Sequence, residues 1–301
     1  MDARAPFQFE RTVLVNEDCL TWLKKAEPSS ISSVVTDPPY GADEYTATEL
    51  ERLRSGGRGG VWRIPPSYDG HTRSPLPRFS ILKKTDLEYL HDYFEAWATL
   101  LLPVLKPGAH IFLACNPLIS PYISTALSDA GLERRGEVVR RVMTMRGGDR
   151  PKNAHHEFDD VSVMPRSQWE PWLLYRRPID CKNVAENLRR HGTGGLRRIS
   201  DARPFGDVIM SGPTGTRERR IAAHPSLKPQ AFLRQIVRAS LPLGKGTVLD
   251  TFAGSGSTLA AAAAVGYEAV GLERDSEYAS LATKAVPQLA QLVVKDDSSI
   301  V

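Results

Sequence analysis

The chain has 301 residues, 41% of them hydrophobic and 25% charged, which is enough for one large domain or two modest ones and is not the composition of a disordered polymer. The longest unbroken apolar run, Leu259 to Val265, is too short to span a bilayer, and an opening with Asp2, Arg4, Glu10 and Arg11 lacks the apolar stretch of a secretory signal. Net charge is only +4, yet 134–152 carry seven basic against two acidic residues and 176–220 eleven against five, a segregation that suits a polyanionic partner.

Three well-separated cysteines, Cys19, Cys115 and Cys181, cannot build a disulfide framework, so a reducing cytoplasm is expected. Along the chain, the β-branched segments Thr12–Asn16 and Ile31–Thr36 predict short strands. Apolar residues at spacings of three and four from Leu87 to Val104 predict an amphipathic helix over Asp86–Leu105. Lys106-Pro107-Gly108 stops it, and Ala109–Ala114 follows as a buried strand. A short helix over Pro121–Ala130 and strands over Glu137–Met145 and Trp169–Tyr175 come next. The C-terminal third predicts helix Pro229–Leu241, strand Thr247–Phe252, helix Thr258–Val265, strand Glu268–Glu273, and a last helix capped by Asp275 or Ser276 that Pro287 kinks or splits. This alternation implies an α/β fold: a doubly wound, mostly parallel sheet with helices on both faces. Gly41–Lys84 and Pro178–Ala223 break the rhythm with Gly, Pro and Arg, the composition of lids and binding loops.

Thr36-Asp37-Pro38-Pro39-Tyr40 directly follows a predicted strand. Two prolines fix φ and remove two backbone donors, leaving the carbonyls of Asp37 and Pro38 as outward-facing acceptors. The Asp37 carboxylate adds another acceptor and Tyr40 offers a stacking face. Such a site grips a planar amine on a ring and draws its hydrogens away, favouring the more nucleophilic, tetrahedral nitrogen. Asp250-Thr251-Phe252-Ala253-Gly254-Ser255-Gly256-Ser257-Thr258 ends one strand and opens a helix. Its glycines permit close backbone approach, the helix N-terminus favours a carboxylate, and no Gly-Lys-Ser/Thr signature of a triphosphate loop follows. Glu273, at the end of the next strand, is placed to accept from both hydroxyls of a ribose. Asp18 fits either an adenine amine or a helix cap. His155-His156-Glu157 with Asp159-Asp160 has ligand-type residues in a spacing that matches no common metal site, so no metal is expected; Cys115-Asn116-Pro117 reads as a buried thiol beside a turn.

Together these motifs resemble the amino-group DNA methyltransferases that use S-adenosylmethionine. Asn16-Glu17-Asp18-Cys19-Leu20 and His224-Pro225-Ser226-Leu227-Lys228-Pro229 are also typical of them, and the order, catalytic motif first and cofactor motif last, matches their circularly permuted β class. The resemblance covers roughly 12–40, 86–175 and 222–285. It implies a Rossmann-like catalytic and cofactor-binding domain built from 1–40, 86–177 and 222–301, an inserted loop at 41–85 that closes over DNA or mediates dimer contacts, and a target-recognition region at 178–221. It implies that Asp37 and the Pro38 carbonyl, with Pro39 behind them, hold the target amine while Tyr40 stacks on a flipped base. Asp250, Phe252, Gly254, Gly256, Ser257 and Thr258 would line the cofactor, Lys228 would sit near its carboxylate, Glu273 would take the ribose and Asp18 the adenine ring. Arg189, Arg190, Arg197, Arg198, Arg217, Arg219 and Arg220 would contact DNA.

The reaction expected from the resemblance is methylation of adenine N6 in a specific duplex site, since the cytosine-N4 enzymes more often carry serine where Asp37 stands. Cytosine N4 is the alternative; an RNA or protein-amide substrate and a non-catalytic DNA-binding subunit are more remote. Double-stranded DNA is the implied partner. A homodimer and a separate restriction nuclease are further expectations of the family, and no membrane partner is implied.

Overall fold

The computed structural model describes residues 5–39, 67–68, 71–72, 84–142, 148–151, 153–224 and 227–294. Tyr40, Trp62, most of the 41–85 insert, Lys152, Pro225-Ser226 and the end of the strand expected to reach Met145 lie outside the described residues.

The chain opens with an antiparallel hairpin, β1 (Phe7–Phe9) and β2 (Thr12–Val15), then α1 (Cys19–Leu23) and β3 (Ile31–Thr36). A separate ribbon pairs β4 (Ser67–Tyr68) with β5 (His71–Thr72). Helix α2 (Lys84–Val104) passes directly into β6 (Leu105–Ala114), followed by α3 (Ser120–Asp129), β7 (Glu133–Arg141) and β8 (Trp169–Arg176). Next come α4 (Val184–His191), β9 (Val208–Met210), α5 (Thr216–Ile221) and α6 (Gln230–Ser240). The chain finishes with β10 (Thr247–Asp250), α7 (Ser257–Ala264), β11 (Glu268–Leu272) and α8 (Ser276–Ala290).

Among the described residues, nine strands form one sheet in the order β1-β2-β11-β10-β3-β6-β8-β7-β9. From β2 to β6 every neighbour is parallel, β8 runs antiparallel to β6 and β7, and β9 lies parallel to β7. The winding reverses between β10 and β3: the chain leaves β10 for β11 on one side and β3 for β6 on the other. A crevice therefore opens at the C-terminal ends of those two strands, the usual ligand position in a doubly wound sheet.

The central strands are buried on both faces and so show no polar alternation: all six residues of β3 are buried. Ser33 fits there because its hydroxyl pairs with Ser240 at 2.9 Å. The apolar stripe of α2 (Leu90, Phe94, Trp97, Leu101, Val104) packs onto the sheet, and burying each such large side chain contributes about 1.5–3 kcal/mol before entropy is subtracted. On α7, alanines let the helix approach closely, and a Cβ at Gly271 of β11 would stand 2.7 Å from Leu259. Helix α8 continues through Pro287 without splitting, although the proline removes one backbone donor near its C-terminal end.

The region expected to be loop-rich, 178–221, carries two helices and an edge strand. Asn183 caps α4 by accepting from Glu186 N, and Gly192 ends it at φ +73. Among the described residues, no helix is long and apolar enough to cross a membrane.

Candidate active site

Register places the two chemical motifs side by side. Leu249 of β10 pairs with Val34 of β3, so Asp37 and the Asp250–Gly256 loop leave adjacent parallel strands at the same edge. Thr36 Oγ1 ties the strands by donating to Asp250 Oδ1 at 2.6 Å, and Phe252 N donates to the same oxygen at 3.1 Å. Burial pushes the Asp250 carboxyl up to about 6, against the lowering effect of these hydrogen bonds. Asp37, Lys228, Asp250, Phe252, Gly254, Ser257 and Thr258 share the lining of one small cavity of about 40 Å³. Pro38 is buried and Pro39 exposed, so the motif turns outward after Pro38.

The loop after β10 gains its shape from two glycines with different tasks. Gly254, at φ +52, leaves only 3.3 Å between an added Cβ and the His224 ring. Gly256, at φ +81, packs on α8, where a Cβ would meet Val286 at 2.3 Å; it serves helix packing more than the ligand approach expected of it. Gly254 N donates to Glu273 Oε2 and Asp275 N to Glu273 Oε1, each at 2.8 Å. Burial raises the Glu273 carboxyl above its ordinary range. Each oxygen keeps a lone pair for a hydroxyl donor. Asn16 braces this corner by donating to the backbone carbonyl of Glu273 at 2.7 Å. Asp18, two residues on, caps α1 through Thr21 N at 3.0 Å.

A nucleoside cofactor bearing an amino-acid end fits this donor set. The N-terminus of α7 opens on the cavity, Glu273 offers acceptors, and the buried Gln230 Oε1, beside its own Nε2 contact to Ser257 O at 2.9 Å, has no partner among the described residues.

Lys228 differs from expectation in its contact. Its ammonium donates to Asp37 Oδ2 at 2.6 Å and lies 3.5 Å from Glu170 of β8. Burial alone would lower its pKa, but Asp37 and Glu170 hold it above the ordinary lysine value. Glu170 is pushed up by burial and pulled further down by Lys228 and Arg140, ending below the ordinary glutamate value. No motif singles out Glu170 or Arg140; only the pairing of β7 with β8, which sets Arg140 opposite Glu170, brings them to the cleft. Cys115 is buried beside them, its thiol pushed up by desolvation, in keeping with an unreactive packing role.

The predicted DNA-contacting arginines fall into two groups. Arg217, Arg219 and Arg220 are exposed on α5, which Glu218 ties to the start of α6 by accepting from Gln230 N at 2.7 Å, at the rim of the cleft. Arg189, Arg190, Arg197 and Arg198 lie at the opposite, N-terminal edge of the central strands. There Asn187 and Thr193 bond the Pro107 carbonyl and Arg197 donates to Tyr267 OH at 2.7 Å, just before β11. The expected recognition region is thus divided between the two edges of the sheet.

A family model for N6 and N4 enzymes, described as DNA methylase, matches residues 31–284. The chain is 23% identical over 278 residues to type II methyltransferase M2.LlaDCHI of Lactococcus lactis subsp. cremoris, covering 92% of this chain and 90% of that protein. It is also 23% identical over 274 residues to type II methyltransferase M2.DpnII of Streptococcus pneumoniae, covering 91% and 89%. Among solved structures, TTHA0409 of Thermus thermophilus complexed with S-adenosyl-L-methionine shares the fold with TM-score 0.58 at 19% identity, over 94% of this chain and 95% of that one. The cytosine-N4-specific PvuII DNA methyltransferase shares it with TM-score 0.61 at 11% identity, over 99% and 93%.

Proposed function

The chain belongs to the N6/N4 DNA methylase family, and from that premise we propose that it transfers a methyl group from S-adenosylmethionine to the N6 amine of an adenine turned out of duplex DNA. The observation that carries this reading is the junction of Asp37-Pro38-Pro39 with the Asp250–Gly256 loop at the reversal point of the sheet, tied by Thr36 to Asp250 at 2.6 Å. When bound, the cofactor would supply an electrophilic methyl group on its sulfonium for the amine nitrogen to accept.

The chain's own residues bind, orient and exclude water. Asp37 and the Pro38 carbonyl accept from the amine hydrogens, which favours the nitrogen geometry of the transition state. Tyr40, next in sequence, supplies the face on which the extruded base stacks. Glu273 accepts from the ribose, while Asp250, Phe252, Gly254, Gly256, Ser257 and Thr258 shape the cofactor loop. Extruding a base costs a few kcal/mol, and phosphate contacts from Arg217, Arg219 and Arg220 at the rim offset part of it. Asp37 in place of serine supports adenine over cytosine.

Digesting DNA from cells that express the protein and identifying the modified nucleoside by mass spectrometry tests the reading. N6-methyladenine is expected; N4-methylcytosine alone would move the chain to the cytosine-N4 enzymes, and unmodified DNA would overturn the assignment.

A further inference from the structure

Asp37 stands just beyond the end of β3, and an acceptor that must meet a flipped base within a fraction of an ångström needs something to aim it. Lys228 touches it, but an ammonium on a four-carbon stem has no preferred direction of its own. The anion behind the lysine is Glu170, and Glu170 is locked. Its Oε1 accepts from Trp172 Nε1 at 3.0 Å and its Oε2 from Arg140 Nη1 at 3.1 Å. Arg140 is held in turn by Ser211 Oγ at 3.0 Å, the Gly212 carbonyl at 2.9 Å and the Phe232 ring 5.2 Å below it. The result is a chain of alternating charge, Asp37–Lys228–Glu170–Arg140, in which each member's side chain is 16% exposed or less. It is neutral as a set, so removing one anion leaves two cations facing the other.

We propose that Glu170 is a positioning residue for methyl transfer: anchored on the paired strands β7 and β8, it holds Lys228 so that the Asp37 carboxylate stays correctly turned for the target amine. The inference rests on the reading that Asp37 receives that amine. A purely structural ion pair would cost stability when broken and leave the chemistry at Asp37 unchanged.

Glu170→Gln, Lys228→Met and the double variant, made in the full chain, test it with labelled S-adenosylmethionine and unmethylated genomic DNA. For Glu170→Gln, kcat falls at least about tenfold while the cofactor Kd measured by calorimetry stays within about twofold. The double variant is no slower than Lys228→Met alone, because both remove the same support. A kcat within twofold of the parent, or penalties that multiply in the double variant, overturns the proposal. Should Glu170→Gln fail to fold, Glu170→Asp keeps the charge and withdraws it by one methylene; a folded, fully active Glu170→Asp overturns the positioning role equally. Asp37→Ala separates the two claims. If it abolishes transfer while Glu170→Gln is silent, the positioning role alone fails; if it remains active, the reading of Asp37 fails with it.

Discussion

At Asp37 the question is whether one acceptor decides the chemistry or merely shares it. An amine delocalised into a purine ring is a weak nucleophile, and the acceptors that draw off its hydrogens act only as the nitrogen becomes tetrahedral. Asp37→Ala therefore lowers kcat by more than about 100-fold and leaves the cofactor Kd within about threefold, measured by single-turnover transfer and by calorimetry. Glu273→Ala does the reverse, weakening cofactor binding about tenfold or more as the ribose acceptors disappear; an unchanged Kd would remove Glu273 from that role. Gly256 carries a third kind of constraint. Its φ of +81 and the 2.3 Å that would separate a Cβ from Val286 make Gly256→Ala costly twice over, by about 2–4 kcal/mol together, which thermal unfolding of the purified variant would show. All three residues stand out in the sequence, since an Asp-Pro-Pro-Tyr run and a glycine loop followed by a spaced acid are local patterns. Lys228 stands out as well, but its partner does not, because nothing local in the sequence links it to Glu170.

Element by element, what the sequence reveals follows how much apolar surface each element buries. Strands β3, β6 and β10 and helices α2 and α7 are recognisable because apolar or β-branched residues dominate them. By contrast α4 buries only Asn187, α5 buries nothing, and β9 is three residues on a sheet edge, so none leaves an apolar period to read. This is also why seven arginines read as one DNA-binding set although the fold sends them to two edges. That division predicts a measurable asymmetry. Replacing Arg217, Arg219 and Arg220 with Gln lowers the slope of log binding constant against log salt by about two to three, near 0.9 for each phosphate left unneutralised. Replacing Arg189 and Arg190 at the far edge leaves the slope unchanged. Fluorescence polarisation with a duplex at several salt concentrations separates these outcomes, and equal effects from both sets would mean that DNA wraps to the N-terminal edge of the sheet.

Across the whole molecule, folding perturbs several titratable groups in opposing directions, and the signs can be worked out. His110 in β6 is lowered to about 3, first by burial and then by the charges of Arg176 and Arg135. His224 is lowered to about 4 by burial and by Lys228. Both therefore stay neutral in the folded protein while the unfolded chain takes up protons below its ordinary histidine value of 6.5. Stability from each is complete above that pH and drains away as pH falls toward the folded value, by up to about 1.4 kcal/mol per pH unit. Asp250, raised to about 6, acts in the opposite sense: between its ordinary 3.8 and that value the folded protein holds the extra proton, so stability grows as pH falls. From pH 6 down to about 4 the Asp250 contribution cancels roughly one histidine and leaves the other. Urea unfolding at about pH 7 and about pH 5 then separates the terms. His224→Gln flattens the decline of stability on acidification, whereas Asp250→Asn steepens it even though both variants exchange a titratable group in the same cleft for a neutral amide. Slopes that move in the same direction for the two variants would show that His224 and Asp250 do not titrate as this site requires.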